Sequence, residues 1–263
     1  INGKKHFDGK YEIASQHHSE LFTFNAEDDN VKVVSATEEN AYPGTLMHRT
    51  TAVIKDENFE KPFVLDILRV DSDKKNQYDL PFYYMGQIID KSFTHESPTT
   101  LSPFGEDNGY QHLFVEGKGN ASKGNTKFQW LQHGKYYTLT TVTNAKDEVY
   151  LTRIGANDPD FNLRRDAAIT LRRNDTQDTF FVSVVEPHGS YSPVSESSIN
   201  SRSSIKSIEV VFDNDAYTGV RITDVKGGTQ LFIIANRDND SSAKHKVEID
   251  GESYSWVGPF YYM

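Results

Sequence analysis

Cysteine is absent from this 263-residue sequence, and so are the short motifs of several common enzyme classes. The lack of cysteine excludes disulfide scaffolds, zinc sites built from thiolates and cysteine nucleophiles. The sequence has no Gly-x-Ser-x-Gly elbow, no His-Glu-x-x-His pair and no phosphate-binding glycine loop. Serine hydrolases of the elbow type, zinc proteases of the His-Glu-x-x-His type and P-loop enzymes are therefore not indicated.

Positive charge and long apolar runs are also scarce. The formal net charge is −10, which argues against a nucleic-acid binder. An anionic polymer would have to be bound by a local basic patch, because the overall field repels it. The longest apolar runs, such as residues 182–185, are far too short to span a bilayer. We expect neither a nucleic-acid partner nor a membrane partner.

Helical periodicity is missing as well, and strand signals take its place. Segments rich in Val, Ile, Thr, Tyr and Phe recur every ten to twenty residues or so, bounded by Gly, Pro, Asn and Asp. The pattern predicts an all-β fold, an antiparallel β-sandwich of two or more stacked sheets. The polar stretch 200–207 predicts a boundary between residues 1–199 and a C-terminal part, 200–263. This part either completes the sandwich with hairpins or forms a small second β lobe.

Three residues are candidate metal ligands. His48 lies at the head of a predicted strand, and Asp66 lies inside the apolar strand that follows it. A short connection between antiparallel neighbours would bring the two side chains together, and His112 is a natural third ligand for zinc. The structural alternative is a buried His–Asp hydrogen bond, or an aspartate that caps a backbone turn.

A tyrosine-rich segment and two arginine clusters carry the other candidates. Tyr78, Tyr83 and Tyr84 surround a proline and precede a glycine, a pattern typical of functional loops or of aromatic packing. A tyrosine can transfer protons where its surroundings lower its pKa. Arg164 lies in a cluster suited to carboxylate recognition. The strand arginines Arg172 and Arg173 are expected to be solvated.

Six motifs in this order resemble the C-terminal region of the heparinase II/III-like lyases, specifically the alginate lyases of polysaccharide lyase family seventeen. They span roughly residues 40–195 of the chain. The motifs are YPG…MHRT (Tyr42–Thr50), PFVLDILRV (Pro62–Val70), QYDLPFYYMGQ (Gln77–Gln87), NGYQHLFVEGKG (Asn108–Gly119), NDPDFNLRR (Asn157–Arg165) and FFVSVVEPHGSY (Phe180–Tyr191).

The resemblance implies a function and a set of roles. Such enzymes join an N-terminal α/α-toroid to C-terminal β-sheets and cleave uronate-containing glycans, here alginate or oligoalginate, by β-elimination. It implies an acid/base role for Tyr83, a zinc site at His48 and Asp66 with His112 as the third ligand, and substrate contacts from Arg49, Tyr84 and Arg164. We expect a periplasmic or secreted bacterial protein, in keeping with the absence of cysteine.

These 263 residues do not contain the toroid that such enzymes use to neutralise the substrate carboxylate. Because proton transfer needs both halves of the site in place, we expect this chain alone to be inactive. The alternative function is a non-catalytic β-sandwich that binds polysaccharide through aromatic and arginine side chains. Tyr83 and the His48/Asp66 pair distinguish the two hypotheses, because a module that only binds polysaccharide needs neither a proton-transfer tyrosine nor a metal site.

Overall fold

The computed structural model describes residues 1–155 and 165–263 of the chain. Nearly all regular structure in these two ranges is antiparallel β-strand, with short helical turns at His6–Gly9, Tyr11–Ala14 and Tyr110–His112. Among the described residues, no helix has the length and apolar character that crossing a membrane requires. The all-β fold class predicted from the sequence is confirmed.

The strands in chain order are β1 (Glu20–Asn25), β2 (Val31–Glu38), β3 (Thr45–Ile54), β4 (Phe63–Ser72), β5 (Asn76–Tyr84), β6 (Gln87–Lys91), β7 (His95–Glu96), β8 (Ser102–Pro103), β9 (Leu113–Asn120), β10 (Gly124–Gln132), β11 (Lys135–Thr143), β12 (Glu148–Ile154), β13 (Ala167–Thr176), β14 (Thr179–His188), β15 (Ser190–Ser192), β16 (Ser197–Ile199), β17 (Ile205–Asp213), β18 (Tyr217–Asp224), β19 (Thr229–Ala235), β20 (Lys244–Ile249), β21 (Glu252–Val257) and β22 (Phe260–Tyr262).

The strands form stacked layers. An eight-stranded sheet, here the central sheet, has the order β1-β2-β3-β4-β14-β11-β10-β6. A second sheet, here the site sheet, has the order β5-β13-β12-β9-β7, and β8 also pairs with β9. The C-terminal sheet has the order β17-β18-β19-β22, and β20 and β21 form a separate hairpin. The predicted stacking of several β-sheets is therefore present.

The middle of the central sheet is buried on both faces, which explains the near-continuous apolar sequence of strands such as β4. In β4, Phe63, Leu65 and Ile67 pack in one core together with residues of the C-terminal sheet. Leu68 and Val70 of the same strand pack in a second core with residues of the site sheet. Since successive side chains of a strand point to opposite faces, the central sheet lies between the other two.

The C-terminal sheet repeats this arrangement on a smaller scale. Phe232 and Ile234 of β19 pack toward the central sheet. Leu231 and Ile233 pack on the other side against the β20–β21 hairpin, where Trp256 is buried. Full burial of each such side chain contributes about 1.5–3 kcal/mol to folding. The strands from β17 onward are thus joined to the rest of the molecule through a shared hydrophobic core.

One part of the central sheet remains uncovered. Leu21, Phe24, Val34 and Val53 of β1 to β3 share the face that the site sheet covers farther along. Their exposed fractions are 64%, 68%, 44% and 44%, respectively. These four residues are called the apolar edge patch below. Contiguous exposed apolar residues of this kind mark a contact surface more often than isolated ones do.

Gly86 marks the point where the chain crosses between layers. β5 ends at Tyr84 in the site sheet, and β6 begins at Gln87 in the central sheet. Gly86 has a φ of 109°, and a Cβ atom there would collide with the carbonyl oxygen of Leu131. Only glycine fits both requirements, so this residue keeps the end of β5 close to the central sheet.

Candidate active site

Alternation along β5 separates the three candidate tyrosines. Tyr78 and Tyr84 point into the core between the two sheets and are only 3% and 9% exposed. Tyr83 points to the outer face of the site sheet and is 56% exposed. Of the three, Tyr83 alone therefore presents its hydroxyl to solvent from a rigid strand.

Tyr83 lines an open cavity of about 400 Å³ on the outer face of the site sheet. Asp79 and Pro81 of the same strand form part of the floor, as does Thr170 of β13, which lies opposite Pro81. The segment 104–113 supplies the facing wall, including the side chain of His112. The cavity thus brings together Tyr83 and His112, two of the residues singled out from the sequence.

An ion pair lies beneath this wall. Arg172 of β13 donates two hydrogen bonds to Asp79, from Nε to Oδ1 at 2.7 Å and from Nη2 to Oδ2 at 2.8 Å. The hydroxyl of Tyr110 donates to the same carboxylate at 2.8 Å. Burial, together with the negative charge of Asp79, raises the pKa of Tyr110 well above its ordinary value, so this hydroxyl keeps its proton.

The described lining of the cavity contains no lysine and no arginine. Asp79 is the only carboxylate in that lining, and its charge is balanced by Arg172. The cavity therefore offers aromatic surface, a tyrosine hydroxyl and an imidazole. A cation for a substrate carboxylate would have to come from outside these lining residues.

The structure places Arg49 and Tyr84, two of the three predicted substrate contacts, apart. Arg49 lies on the central sheet, where its guanidinium binds both oxygens of Asp66 at 2.8 and 3.1 Å. Tyr84 lies in the core beside Phe128 and Trp130, facing away from the cavity. The prediction for Arg164 lies outside the described residues. Of these three residues, only Arg49 has a described side chain that reaches the surface.

No protein-family model matches the chain, but two curated proteins do. It is 32% identical over 262 residues to an exo-oligoalginate lyase from Saccharophagus degradans and 33% identical over 259 residues to an alginate lyase from Stenotrophomonas maltophilia. Both alignments cover 98% of this chain. These relatives support the predicted assignment of the chain to the alginate and heparinase-like lyases. It spans only about a third of each relative, 35% and 34% of their lengths.

Solved structures support the fold of this lyase family. The chain is similar to a heparan sulfate lyase from Pedobacter heparinus with a TM-score of 0.52 and 13% identity, covering 82% of this chain and 27% of that one. A heparinase III gives a TM-score of 0.55 and 9% identity, covering 83% of this chain and 28% of that one. At such identities the likeness concerns the fold alone.

The structure does not bring the predicted zinc ligands together. β3 and β4 are antiparallel neighbours, as expected, but His48 lies opposite Arg69 and Asp66 lies opposite Thr51. Because residues that lie opposite each other share a face and neighbours alternate, His48 and Asp66 point to opposite faces of the central sheet. His112 is exposed and ends the helical turn Tyr110–His112, which precedes β9 of the site sheet.

Each of these side chains has other partners. The Nε2 atom of His48 lies 2.6 Å from the hydroxyl of Ser35, and its ring packs on Phe22 at 4.5 Å. Asp66 binds Arg49 and Thr51. In residues 1–155 and 165–263, no group of three or more His, Cys, Asp or Glu side chains is placed to hold a metal ion. The described residues do not fit the expected zinc site.

The environment of His48 gives a pH prediction. Burial, and to a lesser degree the guanidinium of Arg69, lowers the pKa of His48 to about 4. Its ordinary value in the unfolded chain is about 6.5, so the unfolded chain takes up this proton first as the pH falls. The stability contributed by neutral His48 is therefore complete above about pH 6.5 and is lost as the pH falls toward 4.

We expect His48→Gln to flatten the pH dependence of the unfolding free energy. Between about pH 7 and pH 5 the wild-type chain should lose about 2 kcal/mol through this residue, and the variant should not. Urea unfolding at both pH values measures the difference. Equal losses in the two proteins would show that His48 titrates normally in the folded state.

Two predictions about arginines are wrong. Arg172 and Arg173 were expected to be solvated, yet both form bidentate ion pairs with side chains that are at most 15% exposed. Arg173 binds Asp147 on the core face of the site sheet, at 2.9 and 2.6 Å. Asp79 and Tyr110, which build the cavity, were also missed. Arg172, the partner of Asp79, is 93 positions away in the sequence, so no local pattern could reveal the cluster of Asp79, Tyr110 and Arg172.

Proposed function

We propose that this chain is the β-sheet part of a lyase that cleaves uronate-containing glycans, most closely alginate or oligoalginate, by β-elimination. One observation carries the proposal. In a chain related over nearly its whole length to alginate lyases, Tyr83 is the exposed member of the tyrosine motif and lies in a cavity on a rigid sheet.

The chemistry assigned to Tyr83 is proton transfer at the scissile bond. In β-elimination a base removes the proton on C5, next to the substrate carboxylate. The electron pair forms the C4–C5 double bond as the C4–O4 bond breaks, and the departing O4 receives a proton. A tyrosine on a strand can be held within hydrogen-bond reach of either atom, which is the geometric requirement for such a group.

The substrate carboxylate must be neutralised for C5 to become acidic, and the described cavity lining offers no lysine or arginine for this purpose. We therefore propose that a second domain, an α/α-toroid joined to this chain, supplies the missing groups. The apolar edge patch supports the existence of such a contact, since its side chains are 44–68% exposed. A polymeric uronate substrate fits the periplasmic or extracellular location that we propose with it.

This proposal predicts that the isolated chain does not cleave alginate. Half of the groups that position and protonate the substrate are absent, and positioning contributes a large share of the rate in such reactions. The test is to incubate the pure chain with alginate oligosaccharides and follow the ultraviolet absorbance of the unsaturated product. A lyase containing both domains is the positive control.

Clear product formation by the pure chain would contradict the two-domain proposal. If the chain binds alginate tightly and the two-domain protein has no lyase activity, the lyase proposal itself fails. That result would favour a polysaccharide-binding module.

A further inference from the structure

A cluster of one ion pair and several aromatic side chains attaches the wall of the Tyr83 cavity to the site sheet. Asp79 and Arg172 lie opposite each other on β5 and β13. Their side chains are only 4% and 15% exposed, although the outer face of the sheet is open to solvent elsewhere. An ion pair that is both bidentate and shielded from water is held in one geometry.

Aromatic side chains shield this pair. The guanidinium carbon of Arg172 lies 4.3 Å from the centre of the Phe104 ring and 5.0 Å from that of Tyr150. Phe104 stacks on Tyr110 with their centres 5.1 Å apart. Arg172 thus contacts Phe104 directly and reaches Tyr110 through the Asp79 carboxylate, so that both ends of the 104–112 segment are attached to the same ion pair.

We infer that Arg172 is a positioning residue of the proposed lyase site, which makes this inference dependent on the proposed function. Through Asp79, Phe104 and Tyr110 it fixes the segment 104–112, which carries Asn108, Gly109 and His112 into the cavity wall facing Tyr83. It also balances the charge of Asp79. An unpaired carboxylate at this position would repel the carboxylate of a uronate substrate.

The chain contains a matched control for this role. Arg173, the next residue of β13, forms an equally close bidentate pair with Asp147 and lies 4.6 Å from the ring centre of Phe181. This pair is at least as buried, but it faces the core between the sheets and none of its members lines the cavity. A change at Arg173 therefore reports what the loss of an ion pair does to the fold alone.

The first test measures hydrogen exchange of the backbone amides of residues 104–112 in the 263-residue chain. Arg172→Gln should accelerate this exchange by about tenfold or more, because the segment loses its attachment. Arg172→Lys keeps the charge but not the bidentate fork, so an intermediate effect is expected. Arg173→Gln should leave the exchange of this segment unchanged while it lowers global stability. Unchanged exchange in Arg172→Gln, or equal acceleration in Arg173→Gln, would overturn the inference.

The second test measures kinetics in a lyase that contains both domains. Arg172→Gln should raise KM for an alginate oligosaccharide by about tenfold or more, since Asp79 is left unpaired beside an anionic substrate. The double variant Asp79→Asn/Arg172→Gln should have a KM between those of the wild type and Arg172→Gln, because the unpaired charge is removed. The backbone amides of residues 104–112 should still exchange fast in this double variant. No recovery would overturn the charge-balancing role. If the wild-type protein with both domains has no lyase activity, the proposed function is refuted. The exchange experiment on the 263-residue chain would still show whether Arg172 holds the segment 104–112 in place.

Discussion

Tyr83→Phe is expected to reduce the lyase activity of the proposed two-domain enzyme by a factor of about 10²–10⁴, the usual contribution of a positioned proton-transfer group. The change removes one hydroxyl from a side chain that is 56% exposed, so the fold should be unaffected. The rate of formation of the unsaturated product, measured beside the unfolding temperature, separates a chemical effect from a structural one.

Tyr78→Phe is the matched control. The hydroxyl of Tyr78 donates to the carbonyl oxygen of Gln177 at 2.7 Å inside the core. Its loss should cost about 1 kcal/mol of stability and leave the rate of elimination nearly unchanged. If instead Tyr83→Phe keeps full activity while Tyr78→Phe or Tyr84→Phe abolishes it, the assignment of the proton-transfer group to the cavity is refuted.

The largest effect on stability is expected at the buried ion pair of Arg173. Asp147→Ala should lower the free energy of unfolding by about 3–5 kcal/mol, because it leaves a guanidinium charge in the core without its partner. The Asp147 side chain is 1% exposed and that of Arg173 is 10% exposed. Urea or thermal unfolding of the chain measures the loss.

Lys75→Ala provides the comparison for an exposed pair. Lys75 and Asp175 are 3.4 Å apart, and their side chains are 64% and 78% exposed. Removing such a pair should cost less than about 1 kcal/mol. Similar losses in Lys75→Ala and Asp147→Ala would show that burial does not govern the strength of these pairs in this protein.

The residues that the sequence placed well are those whose signal is local. The apolar run from Phe63 to Val70 predicted a strand, and the structure has β4 at Phe63–Ser72. The tyrosine motif around Tyr83 was recognised from adjacent residues, and the structure shows that Tyr83 lines a cavity.

The residues that the sequence misplaced depend on register and on distant pairing. The proximity of β3 and β4 was predicted correctly, but the face occupied by His48 depends on which residues of the two strands lie opposite each other. A shift of one residue reverses every side chain of a strand. Tyr110–His112 forms a helical turn that follows Gly109, whose φ is 95°, and no pairing of two strands in the sequence reveals where this turn places His112.

The neighbours of β4 and β5 also determine the order in which this molecule can assemble. β4 pairs with β14, and β5 pairs with β13, so that Asp79 meets Arg172, a residue 93 positions later in the sequence. During synthesis the edges of β4 and β5 stay unpaired until the later strands emerge, and closing such long loops is slow. Unpaired apolar edges invite association with other chains. The proposed catalytic surface therefore cannot form before β13 has been synthesised.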